Sequence, residues 1–249
     1  MLLEVCVDSL ASARAAIRGG ADRLELCSAL SIGGLTPYGA LLMQIREESH
    51  IPIRCLMRPR AGDFLYTPQE ISMMAQQIVT LRNLGADGFV IGCLTPNGDP
   101  DGHAMAPLLD AAQGCGLTLH RCIDVSRNLQ ETYLAAAELG FDTVLTSGGA
   151  ANCHAGKENI AALLALRDQT MGPEVLIGAG VTSRVITAFR RELPNVRAFH
   201  MSGSTAIESG MFVRREGLPM GIPGFDVWHI KQTGQSIIED AVSALKSPL

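Results

Sequence analysis

The hydrophobic pattern of the chain consists of short apolar runs followed by longer runs in which apolar residues recur every three to four positions. The short runs indicate buried strands, and the longer runs indicate amphipathic helices. Eight such strand–helix pairs follow one another along the sequence. The predicted strands span residues 2–8, 22–28, 52–58, 87–93, 117–124, 141–146, 174–179 and 196–202. The predicted helices span residues 9–19, 37–49, 67–84, 103–114, 128–139, 156–170, 182–193 and 235–246.

Residues at the predicted helix ends support these boundaries. Thr67 directly precedes Pro68, and Glu70 follows the threonine by three positions, which predicts a capping box at the start of the third helix. Glycines just before the following strands indicate helix C-termini. These glycines are Gly20, Gly85, Gly116 and Gly140.

Eight alternating strand–helix pairs within 249 residues predict an α/β protein with a (β/α)8 TIM-type barrel. A doubly wound open sheet is the alternative, but a dinucleotide-binding sheet of that kind needs a glycine-rich loop after its first strand. Here the sequence Asp8-Ser9-Leu10 follows the first strand instead. No linker divides the chain, so we expect a single domain over residues 1–249, with an irregular segment over 205–234.

The alternation of side chains along each strand predicts which residues face the interior of the barrel. In the first strand Leu3, Val5 and Val7 form the apolar side that packs against the helices, so the alternate residues face inward. The same reasoning places many ionisable side chains inside: Glu4, Cys6, Asp8, Glu25, Cys27, Arg54, Arg58, His120, Asp124 and His200. The fifth strand fits less well, because an inward His120 leaves Arg121 facing the helices unless the strand contains a bulge.

The predicted interior charges have two interpretations. TIM-barrel interiors are ordinarily filled by Val, Ile and Leu, so charged groups at this density favour a ligand site at the C-terminal mouth. The alternative is a buried ion-pair network that only fixes the strand register. In either case Arg54 and Arg58 need acidic partners, and the candidates are Glu4, Glu25 and Asp124.

The composition narrows the classes of partner. The net charge is −5, aromatic residues make up 4% of the chain and no basic run occurs, so a nucleic-acid partner is not expected. The mean hydropathy is +0.20. No apolar run reaches about 18 residues, and neither a membrane span nor a secretion signal is predicted. Seven scattered cysteines, an odd number, indicate reduced thiols and a cytoplasmic location.

The first set of candidate site residues consists of Cys6 and Cys27, which face inward on adjacent strands. Neighbouring strands lie about 4.8 Å apart, and two thiolates at that spacing could hold Cu(I), which favours sulfur ligands. His120 or His200 would supply a third ligand. Packing is the alternative, since cysteine is also a common small residue of protein cores.

The second set predicts an anion site at the loops after the seventh and eighth strands, which hold phosphate in many TIM barrels. Glycines there allow backbone N–H groups to approach an anion, and an arginine at the mouth would add donors. The residues are Arg58, Gly178, Gly180, Ser202 and Gly203. Glycine also serves turns at strand ends without any ligand, so chain geometry alone is the alternative.

The third set predicts acid–base chemistry on a small anionic metabolite, phosphorylated or not. Its residues are Glu25, Arg54, Arg58, His120, Asp124 and His200. A histidine oriented by a carboxylate transfers protons near neutral pH. The motifs GxSxG, HExxH and Walker A are absent from the sequence, so aldol cleavage, isomerisation and phosphoester chemistry all stay open, as does a charged lattice without turnover.

Several consecutive motifs resemble those of one known family. They are LLEVCVDS, GADRLELCSAL, MRPRAGDFLY, GADGFVIGCLTPNG, LHRCID, VLTSGG and HMSGS, and they extend from residue 2 to about residue 205. The chain resembles the CutC family of copper homeostasis proteins. The resemblance implies a TIM-type barrel, a cytoplasmic location, a homodimer and a link to Cu(I). Cys122, Cys153 and His154 depart from the usual family pattern, so the resemblance implies no role for them.

The sequence therefore supports two hypotheses. In the first, the chain binds a copper ion through Cys6 and Cys27 and takes part in copper homeostasis. In the second, it is an enzyme for a small anionic metabolite bound at the mouth of the barrel. The breadth of the family resemblance favours the first hypothesis, whereas the interior arginines and carboxylates favour the second.

Overall fold

The computed structural model of the protein describes residues 1–215, 217–218 and 226–248. Eight parallel strands form a closed barrel in which each strand pairs with its neighbours in sequence, and the eighth strand pairs with the first. Helices alternate with the strands along the chain. The predicted TIM-type barrel is therefore confirmed.

The predicted barrel strands and helices are all present, and each strand is shorter than predicted. The strands are β1 (Leu2–Val7), β2 (Arg23–Leu26), β3 (Ile53–Leu56), β4 (Gly88–Ile91), β5 (Gly116–Leu119), β6 (Thr143–Thr146), β7 (Glu174–Ile177) and β8 (Ala198–Met201). The helices are α1 (Leu10–Arg18), α2 (Gly39–Glu48), α3 (Pro68–Asn83), α4 (Gly102–Ala111), α5 (Leu129–Glu138), α6 (Lys157–Thr170), α7 (Ser183–Glu192) and α8 (Gln235–Lys246). Within the described parts of the chain, no helix has both the length and the apolar character needed to cross a membrane.

The main apolar core lies between the barrel and its helices. Leu3, Val5 and Val7 of β1 are fully buried in it, as is Phe199 of β8. Burying each such side chain contributes roughly 1.5–3 kcal/mol to folding. The alternate residues face the barrel interior, where a smaller apolar cluster consists of Cys6, Cys27, Leu56 and Val90. The predicted inward and outward faces of these strands are thus confirmed.

The predicted helix-end residues occupy helix ends in the structure at all positions but one. The Thr67 side chain accepts a hydrogen bond from the Glu70 backbone, and the Glu70 carboxylate accepts one from the Thr67 backbone, which confirms the capping box. Gly85 adopts a left-handed φ of 97° directly after α3. The prediction for Gly116 is wrong, because this residue is the first of β5 and the left-handed position belongs to Gly114.

The fifth strand ends earlier than predicted. β5 stops at Leu119, and residues Arg121–Val125 form a short 3-10 helix. A bulge is therefore not needed to explain Arg121. The chain has already left the sheet when it reaches this residue, so strand alternation no longer decides where its side chain points.

The segment predicted to be irregular, residues 205–234, contains a short strand near each of its ends. The strands β9 (Ser204–Glu208) and β10 (His229–Thr233) pair antiparallel beside the mouth of the barrel. Thr233 fastens this hairpin, because its backbone N–H donates to Ser12 and its hydroxyl donates to the Ser202 carbonyl. Residues 216 and 219–225 of the predicted segment lie outside the described residues.

Candidate functional site

The carboxyl ends of the barrel strands open into a cavity of about 1140 Å³. The cavity walls come from the strand ends, the loops that follow them and the β9–β10 hairpin. The ionisable side chains in the walls are Cys6, Asp8, Glu25, Arg58, His120, Arg121, Asp124, Asp226, His200, His229 and Lys231. TIM barrels place their active sites at this end, so this cavity is the candidate functional site.

A network of polar side chains connects β8, β1 and β2 at the floor of the cavity. The register pairs Glu4 of β1 with His200 of β8, and Cys6 of β1 with Glu25 of β2. The Nδ1 atom of His200 lies 2.8 Å from Glu4 Oε1. Its Nε2 atom lies 3.6 Å from Glu25 Oε2. The imidazole of His200 therefore lies between two carboxyl groups.

Arg23 of β2 completes this network from the far side of Glu4. Its Nε atom donates to Glu4 Oε2 at 2.5 Å. Burial raises the pKa of Glu4, but the hydrogen bond from His200 and the charge of Arg23 outweigh burial and lower that pKa to about 2. Glu4 is thus an ionised carboxylate. Sequence reasoning missed Arg23, although its position two residues before Glu25 in β2 places both side chains on the same face.

The pKa values of Glu25 and His200, the other two groups of the network, are both raised. Burial raises the pKa of Glu25, and the charge of Glu4 acts in the same direction, while the charge of His200 opposes them. Burial lowers the pKa of His200, but Cys6 and Glu25 outweigh it and raise this pKa well above its ordinary value. At neutral pH His200 is therefore an imidazolium whose proton faces acidic neighbours.

Three side chains of this region can contact one metal ion. In the described chain, the Sγ of Cys6, a carboxylate oxygen of Glu25 and a ring nitrogen of His200 all lie within 4.8 Å of one another. Cys6 and Glu25 are buried, and His200 is half-buried. Thiolate, imidazole and carboxylate are all common metal ligands in proteins. We call these three residues the donor cluster.

Cys27, predicted as the partner of Cys6, lies outside the donor cluster. It packs beside Cys6 in the interior apolar cluster, and its thiol donates to Glu25 Oε2 at 3.5 Å. Burial and the charge of Glu25 raise the pKa of Cys27 well above its ordinary value. In the metal-free protein Cys27 therefore holds its proton more tightly than an ordinary thiol, and a metal would have to displace that proton to bind it.

Arg54 crosses the barrel interior and is a structural residue. Its Nη1 atom lies 2.7 Å from Asp142 Oδ1 and donates to the hydroxyls of Thr118 and Thr143 at 2.6 and 3.2 Å. The prediction that Arg54 pairs with Asp124 or with a glutamate of the first two strands is wrong. Its partner stands at the start of β6, across the barrel, and Arg54 does not line the cavity.

Arg58 lines the cavity but differs from the predicted ligand contact. Nη1 donates to the carbonyls of Ile32 and Gly34 at 3.1 Å, and Nη2 donates to the carbonyl of Gly62 at 2.9 Å. The predicted acidic partner is not found, since no carboxylate of the described residues forms an ion pair with Arg58. The Nε atom of Arg58 is buried, and it has no hydrogen-bond partner among the described residues.

His120 follows β5 directly and is 4% exposed. Its Nδ1 atom accepts a hydrogen bond from the Cys122 backbone at 3.2 Å, so the ring proton resides on Nε2. Burial and the charge of Arg58 lower the pKa of His120 to about 3. A ring held neutral in this way fits the role of a hydrogen-bond donor better than the predicted role of a proton shuttle. It is a neutral ring with a fixed N–H donor, and this donor has no partner among the described residues.

Asp124 organises a loop through hydrogen bonds to both of its carboxylate oxygens. Its carboxylate accepts hydrogen bonds from Arg121 at 2.7 Å, from Thr146 at 2.5 Å and from Gly149 at 3.0 Å. It also accepts from the backbone and hydroxyl of Ser147 at 3.0 and 2.9 Å. Both oxygens are therefore engaged. Its predicted pairing with the β3 arginines is wrong, because the loop after β6 surrounds it instead.

The residues of the predicted anion site do not all line the cavity. Gly180 and Ser202 line the cavity. A Cβ atom at Gly178 or Gly203 would lie 2.7 or 2.5 Å from neighbouring side chains. These two glycines are thus required for packing, and only two of the four loop residues face the place where a ligand would bind.

The β9–β10 hairpin supplies cavity residues that sequence reasoning did not identify. His229 and Lys231 of β10 line the cavity, and His229 Nδ1 lies 2.6 Å from Asp226 Oδ2. The alternating pattern of HIKQT over 229–233 is the sequence signal that could have identified this strand. Five residues are a weak signal, because such short runs also occur in loops.

Comparisons with known proteins agree with the barrel and extend beyond it. A model of the CutC family matches residues 1–205. A family protein CutC of Bacteroides fragilis (strain YCH46) is 37% identical over 255 residues, which cover 100% of this chain and 98% of the relative. One from Caulobacter vibrioides (strain NA1000 / CB15N) is 38% identical over 247 residues, which cover 99% and 98%. A solved CutC structure from Streptococcus agalactiae, of a candidate copper homeostasis protein, is 28% identical with a TM-score of 0.76 and covers 81% of this chain and 98% of its own.

The family model and the two bacterial relatives match different lengths of the chain. The family model ends close to the start of β9, while the relatives from Bacteroides and Caulobacter align over nearly the whole chain. The family match covers most of the chain, and both relatives exceed 30% identity across it. The chain therefore belongs to the CutC family.

Proposed function

We propose that the protein binds Cu(I) at Cys6, Glu25 and His200 and takes part in copper homeostasis. The observation that carries this proposal is the convergence of three donor atoms within 4.8 Å of one another at the floor of the cavity. The name of the Streptococcus agalactiae relative, a candidate copper homeostasis protein, also supports it.

The donor chemistry fits this ion in part. Cu(I) prefers soft ligands, and Cys6 and His200 supply a thiol sulfur and an imidazole nitrogen. Glu25 is a harder donor and would hold the third position less tightly. Each ligand must lose its proton before it binds a metal. Because His200 holds its proton strongly, copper binding should weaken as the solution becomes more acidic.

The location and assembly of the protein are part of the same proposal. The seven cysteines that the structure describes are free thiols, which supports a reducing cytoplasmic location. The family resemblance supports a homodimer, which light scattering after size-exclusion chromatography would measure directly.

The copper proposal is tested by anaerobic competition against the Cu(I) chelator bicinchoninate. Cys6→Ser should weaken Cu(I) binding by at least about tenfold, because it removes the only sulfur of the donor cluster. Cys27→Ser should leave the affinity within about threefold. Cys115→Ser is the matched control, since Cys115 is half-buried and does not line the cavity. Wild-type affinity in a folded Cys6→Ser variant would exclude this site, and an equal loss in Cys27→Ser would restore the two-thiol site.

We propose a second function, an enzyme that moves a proton on a small anionic metabolite. The observation that favours it is the size of the cavity, about 1140 Å³, which far exceeds the space that a metal ion occupies. The imidazolium of His200 faces the cavity between two carboxyl groups. That arrangement suits general acid–base chemistry, in which a carboxylate orients the proton-transferring histidine.

The enzyme proposal is tested with a panel of small carboxylated and phosphorylated metabolites in D2O, in the presence of a metal chelator. Proton NMR should show exchange of a carbon-bound hydrogen in one of them. His200→Asn should abolish this exchange, because it removes the group that carries the proton. His50→Asn is the control, since His50 is exposed and does not line the cavity. Exchange that persists at the wild-type rate in His200→Asn would refute the assigned role.

A further inference from the structure

We propose that Arg58 and His120, which pack against Phe64, form a subsite that receives a carboxylate group of the ligand. The ε N–H of Arg58 and the ring N–H of His120 would donate to its oxygens. This inference rests on the second function proposed above and names the class of ligand. None of its three residues belongs to the donor cluster.

The first argument is the presence of two buried donors without acceptors in one cavity wall. Arg58 is 9% exposed and His120 is 4% exposed, and both residues line the cavity. Arg58 Nε and His120 Nε2 have no hydrogen-bond partner in the described parts of the chain. A buried polar group without a partner is costly, and native structures pair the great majority of them with protein, water or ligand.

The second argument is that His120 is always a donor at Nε2. The Cys122 backbone N–H occupies the lone pair of Nδ1, which leaves the proton on the opposite nitrogen. Burial and the charge of Arg58 keep the ring neutral down to a pKa of about 3. A ligand oxygen therefore meets an N–H at this position throughout the physiological pH range.

The third argument is the charge of Arg58. The other two arginines of the barrel interior each have a carboxylate partner, since Arg23 pairs with Glu4 and Arg54 pairs with Asp142. Arg58 has three backbone carbonyls, which satisfy hydrogen bonds without neutralising a full charge. A buried cation without a counter-ion is unfavourable, so an anionic ligand group supplies what the described protein residues do not.

The fourth argument concerns the shape of the subsite. Phe64 packs against both donors: its ring centroid lies 4.6 Å from that of His120 and 5.4 Å from the guanidinium carbon of Arg58. All three residues line the cavity, so the Phe64 ring forms an apolar wall beside both donors. Two single N–H donors match the two oxygens of a planar carboxylate. A phosphate would bring further oxygens into this apolar surrounding without donors.

The proposal is tested by NMR of protein labelled with ¹⁵N-histidine, with sodium glycolate as the probe. Glycolate should shift the His120 ring resonances saturably, whereas sodium chloride at the same ionic strength and uncharged ethylene glycol should not. His120→Leu should weaken glycolate binding by at least about tenfold, because it removes a hydrogen bond to a charged group. His120→Gln should stay within about threefold, because its amide N–H replaces the lost donor.

His50→Gln serves as the control for histidine replacement away from the cavity. Equal glycolate affinity in folded His120→Leu and wild-type protein would overturn the subsite, as would an equal response to ethylene glycol. A wild-type protein that binds phosphorylated but not carboxylate ligands would also overturn this inference, yet leave the proposed enzyme function standing.

Discussion

Arg54 of β3 and Arg58 just beyond its end lie four residues apart in the chain, but their charges have different environments. Arg54 reaches an aspartate at the start of β6, while Arg58 donates to backbone carbonyls of the loops after β2 and β3. The difference arises from their depth, because Arg58 stands beyond the end of β3 at the mouth. Arg54 thus stabilises the barrel, and Arg58 both clamps loops and lines the cavity.

The buried His120 should make the protein sensitive to acid. Its folded pKa of about 3 lies below the ordinary value of 6.5, so between these values the unfolded chain binds a proton that the folded chain does not. The stability associated with neutral His120 is therefore complete above pH 6.5 and is lost as the pH falls. Wild type should lose about 1.4 kcal/mol per pH unit relative to His120→Gln in this window, as measured by urea denaturation of both proteins between pH 4.5 and 7.5.

His120→Gln is the control for this prediction. Groups that titrate in both proteins contribute equally to the two free energies of unfolding, so their effects cancel in the difference. Parallel stability curves for wild type and His120→Gln would show that His120 titrates normally in the folded protein. Such a result would also remove the second argument for the carboxylate subsite.

Strands β4 and β5 show how single glycines make room for a buried charge. A Cβ atom at Gly116 of β5 would lie 2.6 Å from the Arg54 guanidinium, and one at Gly88 of β4 would lie 2.8 Å from the stem of the same side chain. The arginine therefore occupies the space that side chains would fill in an ordinary barrel. These glycines are needed for close approach rather than for a turn.

Gly116→Ala should accordingly destabilise the barrel by about 2 kcal/mol, because the new methyl group displaces Arg54 from its partly buried ion pair with Asp142. Gly102→Ala at the start of α4 is the matched control. Its Cβ would meet its nearest neighbour at an ordinary 3.5 Å, and alanine favours helices. Thermal and urea unfolding measure both effects. Equal stabilities for the two variants would mean that Arg54 accommodates the methyl group without loss.

The donor cluster forms only when the barrel closes, because its residues come from β1, β2 and β8. Closure of the barrel sets β8 beside β1, which brings His200 within 2.8 Å of Glu4 although the two residues are 196 positions apart in the chain. The cavity above them is completed by a hairpin that starts three residues after the last barrel strand. The site therefore depends on residues far apart in the chain, which only closure of the barrel brings together.

The sequence by itself determined the fold class, the order of the barrel strands and helices, and the inward face of the first strands. These features follow from local rules, because a strand alternates its side chains and each apolar face must be buried. The same rules place the ionisable side chains in the barrel interior. They also identified the capping box of α3, whose residues are neighbours in the chain.

Only the tertiary structure decided which of these charges meet. Alternation gives the direction of a side chain, but neither its depth along the barrel axis nor its reach across the interior. For that reason Arg54 was assigned the wrong partner and Arg23 was overlooked. Strand adjacency predicts Cys27 as the partner of Cys6, whereas the donor atoms that converge in the folded chain belong to Cys6, Glu25 and His200. The neutral state of His120 likewise depends on burial and on Arg58, which are properties of the folded molecule.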